Sequence, residues 1–283
     1  MNNLKLRRDA EKSPVWHALV VWLFAVGLVA LPVKKLFSLF IGDETFALYT
    51  AEITVRAVLT AVAVIFVFKY RFNGIFSSKI GKAFLLTLPA FIVAINNFPI
   101  IGFISGEAYY LNNTWYFVLF LINCLFIGAF EEIVFRGIIF PLIFIRLGDK
   151  KYSAFFAAAI SSAVFAASHL INLLGGAGIL ATLLQVGYSF LIGGMCAVTL
   201  LMTGNIAVAV LLHFIYDIGG FILASEYKVA SGFQWDAATI IITAVIGVAV
   251  AVYMIVYALK NDGAKLKKAI YNNFEIKDEA DAN

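Results

Sequence analysis

Glu131-Glu132-Ile133-Val134-Phe135-Arg136-Gly137 lies inside an apolar run that extends over residues 115–147. Nearly every neighbour in that run is Phe, Leu, Ile, Val, Ala or Gly, so these three ionisable groups have no solvated face to occupy. A charge near the centre of a bilayer costs about 2.5–3.5 kcal/mol even on the lenient insertion scale, and persists only where it is paired or faces a polar cavity. Helical spacing supplies one pairing. Glu132 and Arg136 are four apart, on one face, in the favoured Glu-before-Arg order. Glu131 is turned by about 100° from Glu132 and has Phe135 four residues on. One carboxylate therefore has a local cation and the other needs a reason from elsewhere in the chain.

Composition extends this reading to the whole molecule. Of 283 residues, 63% are hydrophobic and 13% charged, and the mean hydropathy is +0.95. Soluble domains hold about 45–50% apolar residues, so the expectation is an all-α polytopic integral membrane protein with an intramembrane polar cavity. The alternating ten-residue segments of a barrel are absent. Apolar runs at 15–31, 46–68, 83–104, 115–147, 152–170, 178–202, 205–223 and 237–259 predict about eight transmembrane helices. The first is read as a retained span, because no small-residue cleavage site follows it. The fourth, at about 50 Å if straight, exceeds one untilted crossing, and Pro141 is expected to break or kink it.

Lys and Arg collect at the amino terminus and in alternate connections: Lys69, Arg71, Lys79 and Lys82, then Arg146, Lys150 and Lys151, then Lys260, Lys265, Lys267 and Lys268. That asymmetry predicts both termini in the cytoplasm of a multi-pass plasma-membrane protein. It is a topology signal and gives no reason to expect nucleic acid. The expected organisation is a basic segment 1–14, a membrane-embedded body 15–260 whose motif-bearing core covers about 115–223, and a charged tail 261–283. The tail reads as solvated and close to the anionic leaflet. Cys124 and Cys196 lie in apolar runs and offer no disulfide framework.

Two of the three histidines are embedded. His169 ends Phe165-Ala166-Ala167-Ser168-His169, and His213 opens His213-Phe214-Ile215-Tyr216-Asp217, which places Asp217 one turn after it. His17 reads as an interfacial residue. Two buried histidines, an intramembrane Asp and an unpaired Glu together favour catalysis over packing. Glu-Glu-x-x-x-Arg, Phe-x-x-x-His and His-x-x-x-Asp, in this order and each in an apolar helix, resemble the CPBP intramembrane proteases. This is the CAAX prenyl protease and bacteriocin-processing (Abi) group. The family motif has Asn or Asp at this position; Asp217 departs from the members with Asn, and a carboxylate donates a hydrogen bond only when protonated.

Peptide hydrolysis in a dry cavity needs an activated water, a holder for the oxyanion and a proton for the leaving amine. Glu131, without a local cation, suits the general base. His169 can share the water or protonate the leaving group. His213 can face the oxyanion, with Asp217 fixing its tautomer or adding a donor. The resemblance implies the same division: Glu131 and His169 for water, His213 and Asp217 for the oxyanion, with Glu132 and Arg136 as structural support. A zinc ion on Glu131, His169 and His213 is the alternative. It would leave only Glu132, already tied to Arg136, as base, and no His-Glu-x-x-His helix is present. The expectation is metal-free glutamate catalysis on a membrane-associated protein or peptide. The rivals are a non-enzymatic scaffold or bacteriocin-immunity factor on the same fold, and a proton-coupled transporter. Glu52 and Arg56, another four-apart pair, read as a structural ion pair at the interface.

Overall fold

A computed structural model describes residues 3–233 and 237–278; the ends of the basic segment and of the tail, at 1–2 and 279–283, lie outside the described residues. In chain order the helices are α1 (Asn3–Lys12), α2 (Pro14–Val29), α3 (Val33–Phe37), α4 (Glu44–Lys69), α5 (Gly74–Ser77), α6 (Leu88–Asn96) and α7 (Ile100–Ser105). After them come α8 (Thr114–Val134), α9 (Phe140–Leu147), α10 (Ser153–Ser168), α11 (Ile179–Thr203), α12 (Ile206–Phe221), α13 (Ala237–Lys260) and α14 (Ala264–Asp278). Two short strands, β1 (Ala108–Tyr110) and β2 (Ala230–Gly232), pair antiparallel at one end of the bundle.

The protein is an all-α polytopic membrane protein. Among the described residues, six helical stretches are long and apolar enough to cross a bilayer, and Gly81–Asn96 and Ile206–Phe221 are apolar but shorter. The expected span at 83–104 is interrupted. Pro99 lacks an N–H and disfavours helical geometry in the residue before it, so the chain turns at Asn97-Phe98-Pro99 between α6 and α7.

Burial sorts the spans into layers. Within their most apolar windows, α11 is 67% buried and Thr114–Leu147 is 50% buried, against 17% for α4, α13 and Pro14–Phe37. The first two form the interior with α10 and α12. The others turn large apolar side chains such as Phe24, Ile65 and Val248 outward, as a lipid-facing shell does.

Three Asx caps start the helices that frame the interior. Asp43 accepts from the Thr45 and Phe46 amides at the start of α4, Asn113 from Tyr116 at α8, and Asn205 from Ala207 at α12. The Tyr116 hydroxyl, with the Phe46 amide, holds the Asp43 carboxyl below its ordinary range.

Pro141 does not break the fourth run. The helix continues from Thr114 to Leu147 through a π segment at Phe135–Ile139, and Pro141 falls in the first turn of α9. There its missing N–H is tolerated because the ladder has already shifted register. Ser161 of α10 donates to the Phe135 carbonyl at 3.3 Å.

The segment expected to be solvated is folded in part. Leu266, Ala269 and Ile270 of α14 are buried. Lys265 Nζ donates to the Met202 carbonyl and Lys267 pairs with Asp149. The Met202–Asn205 connection is thereby covered, and Asn205 Nδ2 donates to the Ser78 carbonyl at 2.7 Å. At the same end the buried Arg7 guanidinium donates to the Tyr70 carbonyl and stacks on Phe72 and Tyr271.

Candidate active site

The motif residues converge where α8, α10 and α12 meet. Arg136 Nη1 donates to Glu132 Oε1 at 2.9 Å, and both side chains are fully buried. The same Oε1 lies 2.7 Å from His213 Nδ1. The other face of that imidazole is shared: His213 Nε2 stands 3.5 Å from Glu131 Oε2 and 3.5 Å from Asp217 Oδ1. So Glu132, expected only to neutralise Arg136, also orients His213. The tautomer-fixing contact expected of Asp217 is made by Glu132 instead, and Asp217 faces the opposite nitrogen.

His169 closes α10 and begins a short 3-10 turn over His169–Leu173. Among the described residues its Nε2 is buried without a hydrogen-bond partner, as is Asp217 Oδ2. It joins the others through Phe165, whose ring meets the His169 ring edge-on at 5.3 Å and the His213 ring at 5.8 Å. The Arg136 guanidinium lies over the same phenyl ring, 4.6 Å from its centroid. Trp22 of α2 donates to Ser168, the residue before His169, at 2.8 Å.

Two glycines allow this convergence. A Cβ on Gly193 of α11 would lie 2.7 Å from Arg136 Nη2 and 3.1 Å from Phe165 Cδ1. One on Gly128 would lie 3.1 Å from the Phe214 amide and 3.4 Å from His213 Cβ, so this glycine sets the crossing of α8 and α12. Neither glycine stands out in the sequence, and Phe165 stands out there only as the first residue of Phe-x-x-x-His, without a role at the site. The aromatic four residues before a histidine was legible. Nothing in the pair Gly193-Gly194 distinguishes the tight position from the open one, which has only Ser162 Oγ at 3.9 Å.

The set Glu131, His169 and His213 does not gather its ligating atoms as zinc requires. Among the described residues the group within 4.8 Å of one another is Glu132, Cys196 and His213. Glu132 already holds the Arg136 guanidinium 2.9 Å from its Oε1, so a cation on the same carboxylate would stand beside a second fixed positive charge. Neither set fits a metal.

Asp217 also borders a cavity of about 740 Å³ between α13 and the layer of α10, α11 and α12. Its walls are mostly apolar, with Asn97, Ser162, Tyr188 and Tyr216 among the exceptions.

Residues 113–219 match the family model for type II CAAX prenyl endopeptidase Rce1-like. The match runs from the α8 cap to the last turn of α12 and contains all six motif residues. Over this segment the chain is similar to the type II CAAX prenyl endopeptidases. No curated protein and no solved structure matches it. The matched segment is the buried layer of the bundle, and the helices before Asn113, together with α13 and α14, lie beyond it. That similarity makes the convergence on His213 the candidate active site.

Proposed function

We propose that the protein is an intramembrane endopeptidase that hydrolyses a peptide bond in a membrane-associated protein or peptide, using Glu131 and His169 to activate water without a metal. The observation that carries this reading is the imidazole of His213 held at Nδ1 by Glu132 and turned at Nε2 toward Glu131 and Asp217.

The Glu131 side chain is 22% exposed and within reach of water, whereas Glu132 is sealed and held by Arg136. Water bound between Glu131 and the open Nε2 of His169 gives its proton to Glu131 as its oxygen bonds the scissile carbon. The carbonyl electron pair moves onto oxygen. To receive that oxyanion, His213 Nε2 must carry a proton while Nδ1–H is held by Glu132. The resulting imidazolium is neutralised by the surrounding carboxylates of Glu131, Glu132 and Asp217. When the intermediate collapses, the C–N bond breaks and its electron pair leaves with nitrogen, which takes the proton from Glu131. The 740 Å³ apolar cavity beside Asp217 suits a lipid-like portion of the substrate.

The test is cleavage of a prenylated CAAX-type peptide by purified protein in proteoliposomes. Glu131→Gln keeps shape but cannot accept the proton, so turnover should fall about 10²–10⁴-fold with the fold intact. Near wild-type cleavage by a folded Glu131→Gln protein would remove Glu131 from the chemistry.

A further inference from the structure

The interrupted end of α6 reaches the candidate site from outside the matched segment. Gly81–Asn96 is apolar but short for a crossing, and the chain turns at Asn97-Phe98-Pro99 instead of continuing as a helix. Non-helical backbone at membrane depth is tolerated only where it is buried in protein or lines a cavity. Here both hold. Asn97 and Pro99 are buried, and Asn97 borders the cavity beside Asp217.

Two adjacent asparagines at this turn reach different helices. Asn96 Nδ2 donates to Thr243 Oγ1 of α13 at 2.8 Å, and Asn97 Nδ2 donates to the Tyr216 carbonyl of α12 at 2.8 Å. The second bond falls on the peptide unit that leads directly into Asp217. A carbonyl oxygen has two lone pairs, so it takes a side-chain donor beside its helical one. Helix α12 is shaped for this approach. A Cβ on Gly219 would lie 2.8 Å from the Asn97 carbonyl carbon and 2.8 Å from the Phe98 amide nitrogen, and one on Gly220 would lie 3.1 Å from Asn97 Nδ2. Pro99 alone accounts for the end of the helix. It does not account for an amide aimed at the peptide before Asp217.

From that peptide the path to the imidazole is short. Asp217 Oδ1 stands 3.5 Å from His213 Nε2, and among the described residues Oδ2 is buried without a hydrogen-bond partner. The second oxygen of the carboxylate thus does nothing to fix its orientation, and the backbone that carries it has to.

We propose that Asn97 is a positioning residue: by holding the Tyr216–Asp217 peptide it sets the Asp217 carboxylate against His213 Nε2. The inference rests on the protease reading and gives a helix beyond the matched segment a part in it.

The experiment compares wild type, Asn97→Ala, Asn96→Ala and Gly220→Ala, each with and without Asp217→Ala, by melting in detergent and by cleavage of one prenylated peptide in proteoliposomes. Asn97→Ala should lower kcat by about 10- to 10²-fold, the scale of a small misplacement at a reacting centre, with KM little changed. In the Asp217→Ala background the same substitution should change kcat little, because a residue that acts through Asp217 has nothing left to position. Asn96→Ala loses a bond of the same length one residue away. It should lower melting about as much and leave kcat near wild type. Gly220→Ala crowds Asn97 Nδ2 with both partners in place and should repeat the kcat loss, so it carries the test should Asn97→Ala fail to fold. An undiminished kcat in folded Asn97→Ala, the same fold-loss with and without Asp217, or an equal loss in Asn96→Ala overturns the proposal. Where Asp217→Ala cleaves too slowly to compare, a loss confined to Asn97→Ala and Gly220→Ala sustains it, and a loss shared by Asn96→Ala overturns it. Failure of wild type to cut the peptide instead overturns the protease reading beneath it.

Discussion

Glu132 Oε1 accepts from both Arg136 Nη1 and His213 Nδ1, so one sealed carboxylate oxygen joins the ion pair of α8 to the imidazole of α12. Charge compensation and histidine orientation are thereby carried by one side chain. The two roles separate by mutation. Glu132→Gln leaves the Arg136 charge buried and uncompensated, which typically costs about 3–5 kcal/mol. Adding Arg136→Met should restore thermal stability, because both charges leave together. Peptide cleavage should stay low, since His213 Nδ1 then faces an amide rather than a carboxylate. A double variant that regains turnover along with melting temperature would make Glu132 purely structural.

Adjacent glycines on α11 provide a second contrast. Gly193→Ala drives a methyl against Arg136 Nη2 and Phe165, both pinned in the buried layer, and overpacking of this kind costs about 1–3 kcal/mol. Gly194→Ala meets only Ser162 Oγ at 3.9 Å and gains helix propensity of about 1 kcal/mol. Melting in detergent should fall for the first and hold or rise for the second. Equal effects would mean that α11 does not pack on Arg136 as closely as described.

Much of this architecture was legible in the chain because a bilayer punishes stray charge. Glu131, Glu132, Arg136, His169, His213 and Asp217 stood out against apolar neighbours, and their order and helical spacing carried the family. Side-chain sharing was not legible. Spacing along α8 pairs Glu132 with Arg136, but nothing local says that α12 approaches closely enough for His213 to use the same oxygen. That approach depends on Gly128, which looks like any other glycine in a membrane helix. Short spans were misjudged for a related reason: hydropathy runs through Asn97-Phe98-Pro99, where backbone chemistry stops the helix. The tail misled through its charge, since Leu266, Ala269 and Ile270 are too sparse to register as an apolar run and yet form one buried stripe.

Metal dependence is the third test. With Glu132 Oε1 shared between a guanidinium and an imidazole, and the alternative zinc set dispersed, cleavage should survive exhaustive chelation. Elemental analysis should find no stoichiometric zinc in active protein. Loss of cleavage on chelation, restored specifically by zinc, would mean that the site rearranges to collect its ligands and would replace the glutamate mechanism.

Helix α14 should influence the site from a distance. It covers the Met202–Asn205 connection from which α12 starts, and α12 carries His213 and Asp217. Ile270→Ala removes a fully buried side chain and should cost about 2–5 kcal/mol. Lys265→Met, which removes only the bond to the Met202 carbonyl, should lower kcat more than stability. Proteoliposome kinetics alongside melting curves distinguish the two. Full activity in Lys265→Met would reduce α14 to a packing element.

Sidedness can be settled by labelling, because the fold itself divides the connections into two faces. Contacts of Arg7 with Tyr70, of Lys267 with Asp149 and of Asn205 with Ser78 gather both terminal helices and the connections near Lys79 and Lys150 at one end. The bond from Tyr116 to Asp43, that from Tyr49 to the Tyr227 carbonyl and the β1–β2 pair gather Asn112 and Lys228 at the other. From the excess of Lys and Arg we propose that the first end faces the cytoplasm. Both native cysteines are buried, so single-cysteine substitutions can be read over a low background. Cysteines at Lys79 and Lys150 should resist an impermeant maleimide in intact cells and react after permeabilisation. Those at Asn112 and Lys228 should react from outside. Reversal of all four would invert the protein in the membrane and leave the fold as described. A split within either pair, with Lys79 outside and Lys150 inside for instance, would contradict the packing itself, because both positions belong to the end that α14 closes.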